Sequence, residues 1–124
     1  MNVLIVDDEV ETTELFSSFL RRLGLTVEQA NCGQEALILF NRCRPEWVFL
    51  DFTMSDMDGL ELLKKMQQID AGIKAIMISG REDDSLKNEA RALGVRDYLI
   101  KPIDLEKIRG IISKHIPEQR QAMN

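Results

Sequence analysis

A chain of 124 residues, 44% hydrophobic and 30% charged, has the length and balance of one globular domain around a single core. Its net charge of −5 argues against sequence-independent nucleic-acid binding, which needs a basic patch. No apolar stretch approaches the roughly 20 residues of a membrane span, and the first apolar run starts at Val3 with no room for a signal peptide, so a cytoplasmic setting is expected.

Val3-Leu4-Ile5-Val6 predicts a first strand, which ends in Asp7-Asp8. Val10, Phe16, Phe19, Leu20 and Leu23 mark an amphipathic helix closed by Gly24. Residues 25–30 alternate apolar and polar, which suits a strand at a sheet edge. A helix over 34–43 turns Ala36, Leu37 and Phe40 inward and stops before Pro45. Trp47-Val48-Phe49-Leu50 predicts a strand ending in Asp51, and Gly59 opens a helix with Leu60, Leu63, Met66 and Ile69 inward. Ala75-Ile76-Met77-Ile78 ends in Ser79. The helix over 85–93 that follows has only Leu86, Ala90 and Leu93 as apolar contacts. Tyr98-Leu99-Ile100 ends in Lys101-Pro102, and a last helix, capped by Asp104, carries Leu105, Ile108 and Ile112 and stops before Pro117.

Short continuous apolar runs separated by helical stretches predict buried parallel strands. Five such repeats give an α/β, doubly wound parallel sheet with five helices. The flavodoxin-like order 2-1-3-4-5 keeps the alternating strand at an edge and sets the first and third strands side by side. Functional crevices in such sheets lie beyond the carboxyl ends of the strands, where Asp7, Asp8, Asp51, Ser79 and Lys101 all fall. Three neighbouring carboxylates repel one another unless a cation joins them; Lys101 supplies one positive charge and a divalent metal would supply the rest. Cys32 and Cys43 lack metal spacing and fall at either end of one helix, as structural thiols of a reducing compartment.

Val-Asp-Asp-Glu at 6–9, Asp51 followed by Met54, Met57, Asp58 and Gly59, Ser79-Gly80, and Tyr98-Leu99-Ile100-Lys101-Pro102 together resemble the receiver domain of bacterial two-component response regulators. The resemblance runs from Val3 to about Ile116. It implies that Asp51 is a phosphoacceptor, that Asp8 is a direct Mg²⁺ ligand, and that Asp7 acts on the metal mainly through water. The carbonyl of Thr53 completes the protein ligands, and Mn²⁺ could replace Mg²⁺, since oxygen ligands suit either. Lys101, Ser79 and the backbone at Gly80 would bind phosphoryl oxygens. Tyr98 would be the switch aromatic, and the bond before Pro102 would be cis. The implied donor is a histidine kinase or phosphotransfer protein, the output is unspecified, and the resemblance leaves room for a phosphorylation-dependent dimer.

Three positions depart from the commonest family pattern. Ser55 stands where proline usually follows Met54, so the loop after Asp51 loses a fixed φ and is expected to be more mobile. Thr53 and Arg81 stand two residues beyond the acceptor and beyond Ser79, where the family tunes phosphoryl lifetime. Arg81 is expected to pair with the phosphoryl group, Asp56 or Glu82. Asp56 and Asp58 read as solvated turn residues, His115 as a cation favoured at a helix C-terminus, and the methionines at 54, 57, 66 and 77 as core filler.

Two enzyme or cofactor classes compete. Haloacid-dehalogenase-type phosphatases use an aspartyl nucleophile on a related sheet, but with an Asp-x-Asp pair where this chain has Asp7-Asp8 adjacent. A flavodoxin wants a hydroxyl-rich phosphate loop after the first strand, where Asp7-Asp8-Glu9 would repel a flavin phosphate. A pseudo-receiver that signals without phosphate is a milder alternative. The expected organisation is a receiver domain over 1–117 and a polar tail or linker stump over 118–124.

Overall fold

Strands and helices alternate strictly along the chain in a computed structural model that describes residues 2–116. They are β1 (Asn2–Val6), α1 (Val10–Arg22), β2 (Thr26–Ala30), α2 (Gly33–Cys43), β3 (Trp47–Asp51), α3 (Gly59–Ile69), β4 (Lys74–Ser79), α4 (Asp84–Ala92), β5 (Asp97–Ile100) and α5 (Leu105–His115). The strands form one parallel sheet in the order β2-β1-β3-β4-β5, as their sequence patterns predict. The tail expected at 118–124 lies outside the described residues. None of the described helices is long and apolar enough to cross a membrane.

Alternation along each strand divides the core into two layers. Val3, Ile5, Trp47, Phe49, Ile76, Ile78 and Leu99 face α1 and α5, meeting Phe16, Leu20, Ile108 and Ile112. Leu4, Val6, Val48, Leu50, Ala75 and Met77 face the opposite way, toward Phe40 of α2, Leu63 and Met66 of α3, and Leu86 and Ala90 of α4. Burial on both faces explains why β1, β3 and β4 read as unbroken apolar runs, whereas β2, at an edge, shows exposed Thr26 and Glu28.

Local chemistry sets the helix ends. Gly24 and Gly94 adopt positive φ just past α1 and α4. Asp58, Asp83 and Asp104 accept backbone N–H bonds as N-caps of α3, α4 and α5, so Asp58 has a structural task beyond that of a solvated turn residue. Cys32 caps α2 and Cys43 ends it, both as free thiols. Two expected core positions lie outward: Val10 is 51% and Leu105 42% exposed. Each is the first residue of its helix. Buried Thr13, Ser17 and Ile111 fill the facing positions.

Candidate functional site

Parallel pairing brings the carboxyl ends of the four neighbouring strands level. Val6 pairs with Leu50, Asp51 with Ile78, and Ser79 with Ile100. The ladder continues one residue further through Asp7 N–H to the Ala30 carbonyl (3.1 Å) and Lys101 N–H to the Ser79 carbonyl (2.8 Å). Asp7 and Asp51 are buried while Asp8 is exposed. One carboxylate oxygen from each lies within 4.8 Å of the others. The turn after β3 can pass this close because of Gly59: a Cβ there would stand 2.6 Å from the Asp51 carbonyl oxygen.

Lys101 holds the centre. Its Nζ lies 3.1 Å from Asp7 Oδ2, 3.1 Å from Asp51 Oδ2 and 3.2 Å from Glu9 Oε1. Burial opposes its charge, but Asp7 and Asp51 outweigh that and hold the ammonium well above the usual lysine range. Burial, with the Asp7 charge added, pushes the Asp51 carboxyl up to about 6, while Lys101 and the Thr53 N–H pull it down. Glu9 reaches Lys101 and also donates its backbone N–H to Asp7 Oδ1 at 2.9 Å. Its only signal in the sequence is its place directly after Asp7-Asp8. The Lys101–Pro102 bond is cis, as expected.

Ser79 is buried on the α4 side of the sheet, and its Oγ accepts the Arg81 N–H at 3.0 Å. The Arg81 carbonyl accepts the Tyr98 hydroxyl at 3.1 Å, and Lys87 Nζ lies 5.5 Å from the Tyr98 ring centre. Gly80 is exposed, with open space where a Cβ would be. The Arg81 guanidinium takes neither expected carboxylate partner. It pairs with Asp83 at 2.7 Å and lies 5.7 Å from the Phe52 ring, because Asp83 already sits close by as the cap of α4.

Two side chains give no sign of their role in the sequence. Asp56 is exposed, yet both its oxygens accept backbone bonds of 2.9 Å, from Gly33 and Gln34 at the start of α2. Asn31 donates to the Asp7 carbonyl at 2.9 Å. All three bonds span more than twenty residues, and neither Asp56 nor Asn31 belongs to a periodic pattern.

The cluster suits a hard divalent cation on its own chemistry. Its donors are all oxygens. Asp7 Oδ2 is buried without an aligned hydrogen bond, since the nearby Lys101 ammonium lies off the direction such a bond needs. A buried carboxylate oxygen without an aligned hydrogen bond is costly, and a divalent cation would give it a direct partner.

Residues 3–113 match the family described as response regulator receiver domain. The chain is 33% identical over 115 residues to the sporulation initiation phosphotransferase F of Bacillus subtilis, covering 93% of each. It is 32% identical to the chemotaxis protein CheY of the same organism, covering 90% of this chain and 94% of that one. Other relatives are longer: the transcriptional regulatory protein TrcR of Mycobacterium tuberculosis is 34% identical over 98% of this chain but only 49% of its own length. Among solved structures, a CheY-like receiver domain protein of Methanospirillum hungatei superposes with a TM-score of 0.86 at 27% identity, over 97% of this chain and 96% of that one. CheY in the CheX-CheY-BeF3-Mg complex of Borrelia burgdorferi gives 0.86 at 30% identity, over 92% of this chain and 88% of that one.

Proposed function

Because the chain belongs to the family of response regulator receiver domains, we propose that it accepts a phosphoryl group on Asp51 and uses the resulting charge to reset a surface read by another protein or domain. The observation that carries this reading is the convergence of Asp7, Asp8 and Asp51, two of them in contact with Lys101. The chemical step joins one Asp51 oxygen to phosphorus as the donor's P–N bond breaks and its imidazole leaves. A carboxylate is a weak nucleophile toward phosphorus, so catalysis rests on placing the donor and neutralising the phosphoryl oxygens.

Each residue has a distinct part. Asp7, Asp8, Asp51 and the Thr53 carbonyl would hold Mg²⁺, or Mn²⁺ in its place, which supplies positive charge against the phosphoryl oxygens. Lys101 turns its ammonium from the Asp51 carboxylate onto a phosphoryl oxygen. Ser79 keeps its hydroxyl proton to donate, because its oxygen meanwhile accepts from Arg81. The Gly80 backbone offers a further N–H. Tyr98 then gives up its bond to the Arg81 carbonyl and carries the change to the α4 surface. Thr53 and Arg81 flank the mouth and set how long the phosphoryl group lasts. The chain promotes its own phosphorylation and dephosphorylation and no turnover of a separate substrate. The match over 3–113 leaves the dehalogenase-type and flavodoxin readings without support.

The donor is a histidine kinase or phosphotransfer protein, and the receiver unit is taken as 1–117. With Mg²⁺ present, acetyl phosphate or a phosphorylated kinase is expected to add a single phosphoryl group, seen by intact-mass spectrometry. Asp51→Asn or a chelator should abolish it. An adduct of equal yield in Asp51→Asn would refute the assignment.

A further inference from the structure

Ser55 removes the fixed φ that a proline would give the loop after Asp51, yet this loop is held firmly at both ends. At its base, Gly59 N–H donates to the Phe52 carbonyl at 2.7 Å. At its tip, Asp56 accepts the first two N–H groups of α2, one on each oxygen. Those N–H groups have no partner inside their own helix and carry the positive end of its dipole, so a carboxylate is the natural cap for them. The local cap is weak by comparison: Cys32 Sγ accepts from Glu35 at 3.5 Å. The same bonds, Gly33 first, hold the Asp56 carboxyl below its usual range. Met57 packs so tightly against Gly33 that a Cβ there would come within 2.5 Å of its Cγ.

The start of α2 also reaches the other acidic strand end. Asn31, two residues before Gly33, donates to the Asp7 carbonyl. A path of backbone and two side-chain links, Asn31 and Asp56, therefore joins Asp7 to the loop that carries Thr53 by way of Gly33. Thr53 lies between Asp51 and Asp56, and its N–H donates to Asp51 Oδ1 at 3.3 Å.

We propose that Asp56 is a positioning residue that clamps the loop after β3 to the start of α2, and thereby fixes the spacing of Asp7, Asp51 and the Thr53 carbonyl around the cation. The proposal rests on the receiver reading of that cluster. Asp56 stands outside the cluster of Asp7, Asp8 and Asp51. It replaces with two hydrogen bonds the constraint that Ser55 leaves out.

The test is Mg²⁺ titration of the whole chain followed by the amide NMR signals of Asp8 and Thr53, with amide exchange at Gly33 and Gln34. Asp56→Ala should weaken Mg²⁺ binding by about threefold to tenfold, the span expected for a lost carboxylate cap, and speed exchange at both amides. Asp56→Asn, with one acceptor oxygen left, should fall between. Ile111→Val, a loss of packing in the α1–α5 layer, controls for general destabilisation and should leave Mg²⁺ affinity unchanged. Affinity within twofold of wild type in Asp56→Ala, or an equal loss in Ile111→Val, overturns the proposal. Phosphoryl uptake is read separately. If Asp56→Ala weakens Mg²⁺ binding but no variant takes up phosphate, the clamp stands and the phosphoacceptor reading falls. If uptake is normal and Mg²⁺ affinity does not move, the clamp falls alone. A wild-type chain that binds no Mg²⁺ sinks both.

Discussion

Asp51 sits where its own negative charge is unwelcome. Burial and the neighbouring Asp7 push its carboxyl from 3.8 to about 6, with Lys101 pulling only part of the way back. The metal-free folded chain therefore keeps a proton there at pH values where the unfolded chain has lost it. This contribution to stability is complete below about pH 4 and disappears as pH rises through 6. At pH 7 without metal, Asp51→Asn should be more stable than wild type by about 1–2 kcal/mol after allowance for solvent screening. Saturating Mg²⁺, which binds the ionised form, should narrow or reverse the difference. Equal denaturation midpoints in chelator would show that Asp51 carries no such burden. The acidic cluster and Lys101 are legible in the sequence because each follows an apolar run that fixes its place at a strand end. Asp56, Asn31 and the Arg81–Asp83 pair are not, because loop side chains find partners set by the folded arrangement and not by any period.

Among the elements, α4 is the most lightly held. Leu86 and Ala90 are its only buried residues, and a fully buried leucine contributes about 1.5–3 kcal/mol. The Asp83 cap adds bonds of 2.9 and 3.2 Å to Ser85 and Leu86. The Ser79–Arg81–Tyr98 chain of hydrogen bonds ends beside this helix, whose Lys87 lies 5.5 Å from the Tyr98 ring centre. Amide exchange over 81–112 should change when beryllofluoride and Mg²⁺ are added as a phosphoryl mimic, and Ser79→Ala should bind the mimic but transmit little of the change. Persistence of the full change in Ser79→Ala would break the chain at its first link. The end of α5 is held differently: Asp97 at the start of β5 lies 2.9 Å from His115 Nε2 and 3.5 Å from Lys114 Nζ. Burial works against the Asp97 charge, yet His115, the Tyr98 N–H and Lys114 together hold its carboxyl below the usual range. That stabilisation is present above the unfolded carboxyl range and is lost as pH falls through the lowered folded value. Asp97→Ala should accordingly cost about 1 kcal/mol at pH 7 and less under acid conditions; a constant difference across pH would assign the loss to packing. The place of His115 at a helix end is readable in the sequence, but its partner eighteen residues earlier is not.

At the scale of the molecule, fold and strand order follow from two patterns. Unbroken apolar runs mark strands covered on both faces, and the alternating run 26–30 marks an edge. What those patterns leave open is which side chains leave the core where the layers end, as Val10 and Leu105 do. The parity of the strands has a further effect. Asp7, Asp51 and Lys101 continue the rows that face α1 and α5, whereas Ser79 and Tyr98 continue the rows that face α4. The sheet thus sets Asp7, Asp51 and Lys101 on one side and Ser79 and Tyr98 on the other. Substitutions among Leu86, Ala90 and Tyr98 therefore leave the row of Asp7, Asp51 and Lys101 without a lost neighbour, and the reverse holds for Phe16, Leu20 and Ile108. Two half-cores that share one sheet can thus change their side chains independently of each other.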